Sequence, residues 1–121
     1  MNQPFNIQQE FKNITEYWSP RVLSETNGQY IKIAKVKGDF VWHDHFNEDE
    51  FFFIIKGILT IEMKNETIQL HEGEGFVVPK GCLHKPNAKE ECWLMLIEPK
   101  ATLHTGQVKT PYSRKIEDQL P

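Results

Sequence analysis

The sequence predicts an all-β sandwich or barrel, and three observations carry that prediction. About seven or eight short apolar segments recur at nearly regular spacing. Gly, Pro and Asn break them apart. Two of the segments flank Asn27-Gly28, a pair that favours the turns joining hairpin strands.

The elements follow in order. Ile7, Phe11, Ile14 and Trp18 recur at spacings of four, three and four, which predicts a helix over residues 5–18 that Ser19-Pro20 ends. Arg21-Val-Leu-Ser and Tyr30 to Lys37 read as the arms of the Asn27-Gly28 hairpin. Gly38 separates the second arm from another strand, Phe40-Val-Trp-His-Asp-His. Phe51-Phe-Phe-Ile-Ile reads as a strand apolar on both faces and stopped at Lys56-Gly57. Ile58 to Met63 and Thr67 to Leu70 form a hairpin around Lys64-Asn65-Glu66. Gly75 introduces Phe76-Val-Val, Pro79-Lys-Gly81 turns the chain, and Glu91 to Glu98 is the last strand. Phe40, Trp42, Phe52, Ile54, Met63, Phe76 and Trp93 are the expected barrel lining or core. The remainder, with three Pro and little periodicity, reads as an extended tail that wraps the domain or trails off. The chain thus divides into an N-terminal helical extension (1–20), a barrel (21–100) and a C-terminal tail (101–121).

Composition bounds the function. The length, 121 residues, fits one domain, and 39% hydrophobic residues with eight Phe suffice to close one core. Fourteen basic against seventeen acidic residues give a net charge of -3, with no basic cluster of the kind that tracks phosphate backbones, so no nucleic-acid partner is expected. No apolar run is long enough to cross a bilayer and no secretory signal is visible, so neither membrane nor export is expected. Cys82 and Cys92, the only thiols, are expected to be reduced, in the cytoplasm.

The chemistry lies in His43-Asp44-His45-Phe46-Asn47-Glu48-Asp49-Glu50 and, downstream, His84. Histidines two apart on a strand project from one face, so His43 and His45 can grip one ion. Imidazoles plus one carboxylate suit Fe(II) and neighbouring divalent metals. The acid is harder to select. On an unbroken strand Asp49 shares the histidines' face, but a turn at Asn47-Glu48-Asp49 resets the alternation, and periodicity leaves Glu48, Asp49 and Glu50 open.

These residues resemble the cupin superfamily. Its first motif, Gly-x5-His-x-His-x3–4-Glu-x6-Gly, is filled by Gly38, His43, His45, Glu50 and Gly57, with four residues instead of five after Gly38. Its second motif, Gly-x5-Pro-x-Gly-x2-His-x3-Asn, is met by Gly73, Pro79, Gly81 and His84; Asn87 arrives one residue early and inherits no role. The resemblance implies a jelly-roll β-barrel, selects Glu50 over its acidic neighbours and adds His84 as a fourth ligand. The implied cofactor is one divalent transition-metal ion, with Fe, Mn, Ni, Zn and Cu all acceptable to these donors.

Function is expected at the level of a metal-dependent enzyme on a small organic molecule, dioxygenase-like or acting as a sugar or sugar-phosphate isomerase. The alternative is a non-catalytic small-molecule- or metal-binding module, although the chain has no room for a helix-turn-helix of its own. Lys80, Lys85, Glu48 and Asp49 are candidate rim residues, and none is compelling as a general base. His71 reads as an exposed turn residue and Cys82 as a small buried hydrophobe. His104, in the tail, could close over the site. Barrel edges and strands apolar on two sides predict a homodimer, which the resemblance also implies.

Overall fold

In a computed structural model, residues 3–121 are described; the first two residues of the N-terminal extension lie outside them. A short helix, α1 (Ile7–Lys12), precedes seven strands: β1 (Arg21–Thr26), β2 (Gln29–Asp39), β3 (Glu50–Lys56), β4 (Leu59–Met63), β5 (Thr67–Leu70), β6 (Gly75–Val78) and β7 (His84–Pro99). A last turn of helix, α2 (Ile116–Gln119), ends the chain. All pairings between these strands are antiparallel. The main path runs β1-β2-β7-β3-β6, with β4 joining β7 and β5 joining β4. The fold is an all-β jelly-roll barrel, as the motif resemblance implied. Its seam is β7, whose first residues pair with β4 and whose later ones lie between β2 and β3.

Inward and outward residues alternate as a half-buried sheet requires. Cys92, Leu94 and Leu96 of β7, Ala34 and Val36 of β2, and Phe52 and Ile54 of β3 fill the barrel. A second cluster sits on the sheet's outer face, where Phe11 of α1 stacks on Trp93 at 4.7 Å and covers Ile33. Burying Phe11 completely contributes about 1.5–3 kcal/mol and is what attaches the helix.

Four expectations need correction. The helix stops at Lys12, capped by Asn13, instead of reaching residue 18. Trp18 leaves helical geometry altogether (φ 57°) because its backbone N–H donates to Lys35 O and its indole N–H to Lys37 O, both at 2.9 Å. Residues 40–45 make no regular ladder; His43 alone forms a bridge, with His84. The last strand begins at His84, seven residues before the apolar run, because Pro86 and the polar stretch after it hide a segment that β4 holds in register. Finally, Trp42 is 43% exposed, whereas Trp93 does pack in the core, in the cluster under α1.

The tail wraps. Thr102, Thr105 and Gln119 are buried, and α2 packs by β1. Among the described residues no helix is long and apolar enough to cross a membrane.

Gly57 carries the turn into β4 with φ +88°, and a Cβ there would meet Glu91 O at 2.8 Å. Gly28 has a similar φ, +76°, with open space around it. Gly57→Ala is therefore expected to destabilise by about 2–3 kcal/mol and Gly28→Ala by about 1. Thermal unfolding of the two variants separates backbone strain from the Glu91 contact; equal losses would mean the contact contributes nothing.

Candidate metal centre

The turn at residues 47–49 decides which acid enters the barrel. Asp49 points away and accepts the backbone N–H of Lys80 at 2.8 Å, which ties this turn to the one at Pro79-Lys80-Gly81. Glu50, the first residue of β3, is 5% exposed and faces inward with Phe52 and Ile54, while Phe51, Phe53 and Ile55 take the other face. His43 and His45 are buried on either side of exposed Asp44, so the alternation persists without a ladder. His84 opens β7, and its backbone exchanges two 2.9 Å hydrogen bonds with that of His43.

The four side chains converge: one ligand atom from each of His43, His45, Glu50 and His84 lies within 4.8 Å of the others. His45 Nε2 and His84 Nε2 are both 3.5 Å from Glu50 Oε1, at the limit of a hydrogen bond. All three atoms are buried without a hydrogen-bond partner. Buried polar atoms left so are rare and costly, and a cation between them accounts for all three. Two of the three outer nitrogens are prepared for it. His43 Nδ1 bonds Val41 O and His84 Nδ1 bonds Cys82 O, each at 2.9 Å, which fixes the tautomer and turns Nε2 inward as a lone-pair donor. These residues fit a divalent transition metal.

The electrostatics agree. Burial, then neighbouring His84, pushes the His43 pKa down to about 4, so it stays neutral and able to ligate. Burial opposes a charged His45 too, yet the Glu50 carboxylate outweighs it and the pKa is raised. Burial likewise opposes an ionised Glu50, and the His45 and His84 imidazoles 3.5 Å from its Oε1 reverse this, holding the carboxyl well below its usual range. A cation already suits this cluster.

A cavity of ≈ 30 Å³ adjoins the cluster, with His43 and Glu50 in its wall. The rest of the lining is apolar, chiefly Phe40, Phe52, Leu94 and Leu96, except for His104 from the tail. Of the candidate rim residues, Lys85 pairs with Glu62 at 3.2 Å, and Lys80, Lys85, Glu48 and Asp49 are all absent from the lining. His71 is exposed; Cys82 is half-buried and outside the cavity.

Residues 30–98, more than half the chain, match the cupin-domain family. A cupin-2 domain protein of Shewanella frigidimarina has a crystal structure similar to this chain, with 46% identity and a TM-score of 0.78 over 79% of this chain and 94% of that one. The uncharacterized protein YdbB of Bacillus subtilis is 34% identical over 64 residues, 52% of this chain and 57% of YdbB. The uncharacterized HTH-type regulator YdeC of the same organism is 32% identical over 95 residues, 71% of this chain and 29% of YdeC. The chain thus spans just over half of one curated relative and under a third of the other. It belongs to the cupin family.

One buried polar pair was missed in reading the sequence. Lys32 (1% exposed) and Glu98 (3%) face into the barrel, with Lys32 Nζ 3.4 Å from Glu98 Oε1 and donating to Gln119 Oε1 at 2.5 Å. Burial first, and then the Glu50 carboxylate, raises the Glu98 pKa to about 8, against the pull of Lys32. Inward alternation on β2 and β7 was the available signal: Lys32 shares its face with Ala34 and Val36, and Glu98 with Leu94 and Leu96. Removing one member strands the other in an apolar surround. Lys32→Met is expected to cost about 3 kcal/mol and Lys32→Met with Glu98→Leu markedly less; denaturant melts of both variants and of Glu98→Leu test this, and strictly additive losses would contradict it.

Proposed function

We propose that this cupin is a metal-dependent enzyme, that His43, His45, Glu50 and His84 are its metal ligands, and that its substrate is a small, largely apolar organic molecule bearing an oxygen function. The observation that carries this reading is the cavity, an apolar space with two of the four ligand residues in its wall. Fe, Mn, Ni, Zn and Cu all suit such donors. A bound divalent ion would supply Lewis-acid polarisation of a coordinated oxygen. The chain's own residues do the rest. Val41 O and Cys82 O hold two imidazoles in their ligating orientation, and Phe40, Leu94 and Leu96 keep water from the reacting face.

The same wall discriminates between chemistries. It contains no Lys or Arg to receive a phosphate and few polar groups to receive several hydroxyls, which favours an oxygenase-like reaction over a sugar-phosphate isomerase. A second reading, a binding module without turnover, is supported by the likeness to the regulator YdeC. The free thiols Cys82 and Cys92 suit a reducing, cytoplasmic setting. We also propose a homodimer: the outer face of β3 carries Phe51 and Phe53, only half-buried, and Val77 on neighbouring β6 is 49% exposed.

Elemental analysis of protein purified without an affinity tag is expected to find one transition-metal ion per chain. Glu50→Gln should lower metal affinity by at least 10–100-fold, while Glu48→Gln and Asp49→Asn leave it unchanged. Full occupancy in Glu50→Gln would remove the ligand assignment. Metal-restored protein that binds small hydroxylated or carbonyl compounds but turns none over would select the binding module. Sedimentation at micromolar concentration is expected to show the dimer, and a lone 14.2 kDa species would refute it.

A further inference from the structure

The metal ligands are sealed, and the cavity beside them has room for about one water. Ligand pockets for organic molecules are typically about ten times larger or more, so the wall must contain a part that yields. Among the lining residues, one comes from beyond the last strand. His104 lies in the tail, and its ring packs against Phe40 at 5.2 Å between centroids. Phe40 in turn meets His43 edge-on at 5.4 Å.

Two features show that this placement is built. Gly106, with φ +59°, rests against the backbone of Asp44, the residue between His43 and His45, so closely that a Cβ would overlap the Asp44 carbonyl. Thr105, 3% exposed, bonds Val108 O and Ser113 Oγ at 2.5 and 2.6 Å, which holds the turn on which His104 stands. Packing alone would be served by Leu or Phe. Instead the wall receives an imidazole whose Nδ1 is buried and meets no hydrogen-bond partner. A buried ring nitrogen without a partner, on a residue of the cavity wall, calls for one that the cavity's occupant can supply.

We propose that His104 is a ligand-binding residue of this centre, delivered by the C-terminal tail, and that it hydrogen-bonds the small molecule or anion occupying the metal's open position. The proposal rests on the metal-centre reading given above. Burial, aided by the charge on Lys32, keeps the imidazole neutral, with a pKa of about 4, so the ring offers both a donor N–H and an acceptor lone pair. Because His104 itself forms part of the cavity wall, a ligand larger than water enters by displacing the turn that carries it, and His104 closes on it when the turn returns.

The test loads the full chain with Co(II) and titrates azide, following the visible Co(II) absorption. The wild type is expected to hold one Co(II) and bind azide. His104→Ala and His104→Phe should keep the Co(II) and bind azide about tenfold more weakly, as loss of a hydrogen bond to an anion predicts. His104→Gln should recover part of the affinity, and Gly106→Val, which lifts the turn off Asp44, should reproduce the loss. Azide affinity within twofold of wild type in both His104→Ala and His104→Phe would overturn the proposal, as would loss of Co(II) from them, which would make His104 a ligand or a structural support. A wild type that takes up no Co(II) would instead defeat the metal-centre reading and this inference with it.

Discussion

Three imidazoles converging on one buried carboxylate is the constraint around which this barrel is arranged. Glu50 sits inside a largely apolar lumen, where an ionised carboxyl is costly without compensation. His45 and His84 approach the same oxygen of it, and the backbone accommodates that approach. The His43–His84 bridge holds the two histidine-bearing segments together. The turn at residues 47–49 discards two other acids before β3 begins, and Asp49 serves as its anchor to Lys80. Gly81 completes the link, donating its N–H to His45 O at 2.9 Å.

The long strand β7 connects this polar end to the rest of the core. Its first residue, His84, belongs to the centre; Leu94 and Leu96 line the cavity; and Glu98 forms the buried pair with Lys32. The inward positions of this one strand are therefore polar at its two ends and apolar between them. Where the lumen must carry charge, a second element completes each group: β3 supplies Glu50 to the histidines, and α2 supplies Gln119 to Lys32.

Much of this was legible from residue order. Spacing and turn residues located the hairpins of β1–β2 and β4–β5, because their signals are local: Asn27-Gly28 adopts positive φ at both positions (48° and 76°), as such a turn demands. The His-x-His pair was equally visible. Other features resisted. The helix ended early because the backbone and indole N–H groups of Trp18 found acceptors on β2, a contact between segments about 17 residues apart that helical periodicity does not register. Strand β7 began early because pairing with β4 outweighed the unfavourable Pro86.

The sequence by itself determined the all-β class, the two histidines on one face and, through the likeness to cupin motifs, the identity of Glu50 and His84 as their companions. Those follow from alternation and turn chemistry, which act over a few residues. Only the tertiary structure decided that Lys32 and Glu98 form a buried pair, that the tail wraps inward, and that His104 enters the cavity wall. Each joins residues about 60 or more positions apart, or docks an aperiodic tail onto a loop. The deciding forces there are desolvation and shape fit between surfaces that exist only once the barrel has closed.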